Sequence, residues 1–112
     1  MVTLHAVLYR RPDLTHEQFL EYWHGTHGPL IGGRPELTRH LLGYEQHPRL
    51  PASGGIGPDQ PDGVTVQRFA SWETFLAFLS EPGAEAMNAD MANFLDIDRL
   101  TISFTSAPTT VV

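Results

Sequence analysis

The segment Val2–Tyr9 reads as a strand that is apolar on both faces, with Leu4, Ala6 and Leu8 on one and His5, Val7 and Tyr9 on the other. A strand of that pattern has to be covered on both sides. The chain has 112 residues in which to build those covers, which is one domain over 1–112 and one modest core. Hydrophobic residues make up 41% of it, as in an ordinary folded domain.

The remaining segments supply one cover only. Arg10-Arg11-Pro12-Asp13 breaks the first strand, and Thr15-His16-Glu17-Gln18 forms a capping box that starts a helix. Phe19, Tyr22 or Trp23, Thr26 and Leu30 recur at helical spacing as its buried stripe, and Gly25 and Gly28-Pro29 weaken its far end. Leu37–His47 reads as a second strand. Residues 48–63, rich in proline and glycine, read as a long loop. Val64–Ala70 is the third strand, with Val64 and Val66 facing away from Thr65, Gln67 and Phe69. Ser71 caps a second helix with Trp72, Phe75, Leu76 and Leu79 as its stripe, and a further helical piece runs from Ala84 to about Leu95. Arg99–Thr105 closes the series as a fourth strand. The order βαββαβ predicts an α+β, ferredoxin-like fold, in which a four-stranded antiparallel sheet carries both helices on one face. A homodimer packing sheet against sheet is the simplest cover for the other face.

Composition narrows the function. The net charge is −6 and there is no lysine, so phosphate backbones find little to bind and nucleic acid is not an expected partner. Without cysteine there is no disulfide framework, zinc–thiolate site or cysteine nucleophile. No run approaches 18 apolar residues, so no membrane span is expected, and the start Met1-Val2-Thr3-Leu4 lacks the basic leader of a signal peptide. A cytoplasmic protein is the expectation.

Three blocks then carry a resemblance: Tyr9-Arg10-Arg11-Pro12-Asp13-Leu14-Thr15, Phe19-Leu20-Glu21-Tyr22-Trp23 and His27-Gly28-Pro29-Leu30. Together with Gly43-Tyr44, Asp62-Gly63-Val64, Phe69 and Trp72 they resemble the EthD family of the dimeric α+β barrel superfamily, over about residues 3 to 105. Gly28 departs from the alanine common in relatives, and the 48–63 loop is longer than usual. The resemblance implies a dimeric α+β barrel with a pocket between sheet and helices. It implies little about the reaction, since the superfamily includes cofactor-independent oxygenases, polyketide cyclases, decarboxylases or dehydratases, lactone isomerases and haem enzymes.

Four residues are the candidates for chemistry. His27 stands where the first helix gives way to Gly28-Pro29, and a neutral imidazole there could exchange a proton near pH 7. The alternative is a ring that caps helix carbonyls. His5 lies mid-strand, as a second proton carrier or as a hydrogen-bonded core or interface residue. Plant-type polyketide cyclases of the superfamily are similar in placing a histidine on the first strand. Tyr22 and Tyr44 could donate to an enolate or phenolate oxygen, or be core residues with satisfied hydroxyls. Tyr9, Trp23, Trp72, Phe75, Phe78 and Phe94 are the expected walls of a substrate pocket.

Six histidines make metal worth testing. Glu17, Glu21 and His24 share a helical face, but they oppose Phe19 and read as a solvated charged side, so no metal site is expected. Gly54-Gly55-Ile56-Gly57 lacks the lysine and the strand-to-helix context of a phosphate loop. The expectation is a cofactor-independent enzyme acting by proton transfer on a hydrophobic, aromatic or polyketide-like small molecule, through cyclisation, dehydration or decarboxylation. A cofactor-free oxygenase in the same pocket and a non-catalytic metabolite-binding dimer are the alternatives.

Overall fold

A computed structural model describes residues 1–51 and 59–112. Its elements are β1 (Val2–Leu8), α1 (His16–Tyr22), α2 (Gly28–Gly32), α3 (Pro35–Thr38), β2 (Gly43–Pro48), β3 (Gly63–Phe69), α4 (Trp72–Leu79), α5 (Pro82–Asp90) and β4 (Thr101–Thr105). The four strands form one sheet in the order β2-β3-β1-β4, with every neighbouring pair antiparallel. This is the expected ferredoxin-like α+β fold. The part of the 48–63 loop at 52–58 lies outside the described residues.

β1 lies between β3 and β4, and its alternation sets the two faces of the sheet. Leu4, Ala6 and Leu8 are buried under the helices, and Thr65, Gln67 and Phe69 share that side on β3. The opposite face carries His5, Val7, Val64 and Val66, all half-buried, and no element among the described residues packs over it.

The helix after Thr15 begins as the sequence predicts. Thr15 Oγ1 accepts from the Gln18 amide, and Gln18 Oε1 accepts from the Thr15 N–H. Its stripe differs from the expected one. Phe19, Trp23, His27 and Ile31 are the buried positions, whereas Thr26 is exposed. A step of four residues overshoots an α-helical turn by about 40°, so three such steps would rotate the stripe off the core. A π-helical turn at Trp23–His27, closed by the Gly28 N–H on the Trp23 carbonyl, removes that drift.

Two further expectations change. Leu37–Leu42 is not strand: Pro35 sits at the first position of the short helix α3, whose Leu37 is fully buried, and β2 begins only at Gly43. On α4, capped by Ser71 as expected, the buried residues are Phe75 and Phe78, while Trp72, Leu76 and Leu79 are 45%, 46% and 40% exposed. Trp72 on that side packs on Phe104 of the edge strand β4, which is exposed along its whole length.

Asp62 pins the strand ends to the start of α1. Its carboxylate is buried and accepts from the Arg10 backbone N–H at 2.8 Å, the Arg10 guanidinium at 3.1 Å and His16 Nδ1 at 2.7 Å. Burial pushes this carboxyl up, but those hydrogen bonds and the Arg10 charge outweigh it and hold it below the usual range. Next to it, Gly63 lies under the Trp23 ring, where a Cβ would come within 2.5 Å of the indole.

Candidate functional site

Between the helix-covered face of the sheet and the helices lies a cavity of about 420 Å³. Leu4, Ala6, Leu8, Ile102 and Phe104 form the apolar half of its floor, on β1 and β4, and Tyr44, Thr65 and Gln67 form a polar half on β2 and β3. Trp23, Ile31, Phe75, Phe78, Met87 and Phe94 make the roof. Leu79, Ile102 and Phe104 are 40–47% exposed and mark the mouth, between α4 and β4. Among the described residues, no Arg, Asp or Glu lines the cavity.

His27 reaches this space from the end of the π-helical turn. Its Nδ1 lies 2.8 Å from Asp90 Oδ2, and its ring packs on Phe94 at 4.8 Å. Asp90, the last residue of α5, also accepts from the Tyr22 hydroxyl at 2.5 Å and from Asn93 Nδ2 at 3.0 Å, both on Oδ1. Burial pushes the Asp90 carboxyl up, but the hydrogen bonds from Tyr22, Asn93 and His27 leave it below its ordinary value. An ionised carboxylate can only accept, so the imidazole proton sits on Nδ1 and Nε2 carries the lone pair. No hydrogen bond within the described residues engages Nε2. Burial lowers the His27 pKa and Asp90 only partly offsets it, so the ring is neutral at pH 7. The ring therefore does not cap the helix carbonyls.

Tyr44 is held from the sheet side. Gln46 Nε2 donates to the Tyr44 hydroxyl at 3.0 Å and to the Trp23 carbonyl at 2.9 Å, while Gln46 Oε1 accepts from His24 Nδ1 at 2.7 Å. Because the Tyr44 oxygen is already an acceptor, its own proton is left to donate. Burial raises the Tyr44 pKa and the Gln46 bond only partly counters it, so the phenol keeps that proton.

The structure gathers His27, Tyr44, Trp23, Phe75, Phe78 and Phe94 around one cavity and places the other expected residues elsewhere. His5 does not converge with His27: strand alternation puts it on the opposite face, where Nε2 meets Thr105 Oγ1 at 2.9 Å. Tyr22 stands behind the wall, stacked on Phe94 and bonded to Asp90. Tyr9 lies outside, under the Arg99 guanidinium at 3.8 Å. Trp72 packs edge-on to Phe104 outside the cavity, because it belongs to the exposed side of α4. Among the described residues, no group of three or more His, Asp or Glu gathers as a metal site would require.

Asp90 is the residue that sequence reading misses, 63 positions from its partner. One signal was present: an acidic residue in the last turn of a helix opposes the helix dipole, so it calls for another reason to be there.

The chain resembles several solved structures at low identity. A Bacillus halodurans protein of the EthD family shares 21% identity, with a TM-score of 0.71 over 96% of this chain and 99% of that one. A dimeric Bacteroides fragilis protein of ferredoxin-like fold and unknown function gives 12% and 0.70, covering 95% of each chain. The cofactor-independent oxygenase SnoaB of Streptomyces nogalater gives 10% and 0.66, over 98% of this chain and 95% of that one. No curated protein matches. The EthD domain family itself matches residues 11–98, which takes in the capped helix, the π-helical turn with His27, the Asp62 hub and Asp90, and the chain belongs to the EthD family.

Proposed function

We propose that this protein is a cofactor-independent enzyme that moves a proton on an uncharged, hydrophobic, aromatic or polyketide-like small molecule. One observation carries the reading: a neutral imidazole, oriented through Nδ1 by a fixed carboxylate, faces an apolar cavity of about 420 Å³ with its Nε2 unengaged. Such a group accepts a proton from an enolisable C–H, and the Asp90 carboxylate stabilises the imidazolium that forms. The Tyr44 hydroxyl donates to the enolate oxygen, and the imidazolium returns the proton in the cyclisation, dehydration or decarboxylation that follows.

The test is deuterium exchange at the α-carbon of bicyclic aryl ketones, 1-tetralone first, followed by NMR in D₂O. Wild-type protein accelerates exchange, and His27→Ala lowers the rate by about 10²–10⁴-fold, the usual worth of a placed general base. A folded His27→Ala variant with the wild-type rate would sink the reading. The fold shared with SnoaB favours one variation, in which the same base ionises a phenol whose anion meets dioxygen directly. Oxygen uptake by the purified protein separates the two. A ligand retained for hours without conversion would identify a binding protein.

The protein assembles, in this reading, as a homodimer through the uncovered sheet face, in support of which the Bacteroides fragilis neighbour is dimeric.

A further inference from the structure

Gln67 is a buried polar residue of the cavity that the chemistry above leaves unused. It lies mid-strand on β3, is 6% exposed and lines the cavity. A side-chain amide brings two donors and one acceptor oxygen, and buried amides are almost always bonded. Yet among the described residues the Gln67 side chain makes no hydrogen bond, and its polar atoms are not among the fully enclosed atoms that lack one. They are therefore open to the cavity. Gln46, one strand over, is the contrast, since every polar atom of its amide is engaged.

The register places Gln67 directly opposite Tyr44. Side chains so paired stand about 4.5–5.5 Å apart at Cβ. Both are on the helix side of the sheet, and the Gln46 bond leaves the Tyr44 proton to donate away from Gln46. On the other flank, Gln67 is opposite Leu4, which belongs to the apolar half of the floor.

We infer that Gln67 and Tyr44 form a two-donor seat for one acceptor oxygen of the ligand, with Gln67 as the residue that selects for it. The floor thus sorts a ligand by its edges. The oxygen-bearing edge lies over β2 and β3, and the hydrocarbon edge lies over Leu4, Ala6, Ile102 and Phe104. With no Arg, Asp or Glu among the described residues of the wall, the oxygen belongs to a ketone or another uncharged acceptor in the resting complex. This refines the proton-transfer reading by adding a donor to it, but the seat itself needs only binding.

Binding of two bicyclic probes of the same shape tests it: 1-tetralone, with one acceptor oxygen, and tetralin, with none. Titrations by ligand-detected NMR are run on wild-type protein, His27→Ala, Gln67→Leu and Gln67→Met. Removing one donor should weaken 1-tetralone by about fivefold to tenfold in both Gln67 variants, leaving tetralin unchanged or tighter. The C=O stretch of 1-tetralone bound to wild type should fall below its value in hydrocarbon solvent, a readout that holds even if a variant fails to fold. Equal losses for both probes in a Gln67 variant, no loss for either, no binding of 1-tetralone to wild type, or an unshifted carbonyl stretch would each overturn the inference. His27→Ala keeps the distinction between probes if the seat is real. A failure of proton exchange with that distinction intact counts against the base and not against Gln67.

Discussion

At the scale of single residues, two positions show how little slack the site has. Gly63 exists because the Trp23 ring lies on its α-carbon, with His47 O also only 3.2 Å from where a Cβ would be. Gly63→Ala should lower stability by about 1–3 kcal/mol through overpacking, read as a lower urea midpoint at unchanged m-value. His27 is the second. Its folded-state pKa lies below the unfolded value of about 6.5, so the unfolded chain binds the extra proton first. Its contribution to stability is therefore intact above about pH 6.5 and is lost as pH falls below that toward the folded-state value. Asp90 raises the pKa that burial lowers, so Asp90→Asn should move the His27 titration to still lower pH, visible in the ¹³Cε1 shift of the ring. A titration that moved up instead would mean that the carboxylate is not what supports the ring.

At the scale of elements, the continuous helical segment from α1 through the π-helical turn to α2 decides where the site sits. The capping box at Thr15–Gln18 was readable from the residues alone because it depends on local contacts only. The π-helical turn was not, since its benefit comes from keeping Trp23 and His27 on a core that the local sequence does not describe. The same holds for the start of the Leu37–His47 segment, whose alternation from Leu41 to Gln46 reads as strand, while Pro35 begins a short helix that carries Leu37 into the core and delays β2 to Gly43. Asp90 is silent in the sequence for a related reason: its role exists only through His27, on another helical segment. Gln46 braces the turn: its amide gives the Trp23 carbonyl a second donor beside the Gly28 N–H and also donates to Tyr44. Gln46→Leu takes away one of the two hydrogen bonds on the Trp23 carbonyl, which keeps the one from Gly28, and should cost about 0.5–1.5 kcal/mol, measured as a fall in Tm, with the fold retained by circular dichroism.

At the scale of the whole molecule, the double-sided pattern of β1 is legible in the sequence, and one face of the sheet has no cover among the described residues. Val7, Val64 and Val66 cluster at the centre of that face, with Val7 opposite Val64 and His5 opposite Val66. Val66→Asp puts a charge in the middle of it. If two copies meet there, sedimentation equilibrium should show a dimer for the wild type and a monomer for the variant, since an unpaired carboxylate in a closed interface costs several kcal/mol. A wild-type protein that sediments as a monomer at micromolar concentration would remove the basis for that assembly.

The side chains of β1 that line the cavity and those that face away from it alternate along a single strand. The exposed apolar residues of the cavity lining, Leu79, Ile102 and Phe104, lie on α4 and on the helix-facing side of β4. A neighbour seated on the far face would therefore neither plug the entrance nor add to the walls. Each copy would fill and empty on its own schedule, and pairing would firm up the floor without carrying word of occupancy from one copy to the other.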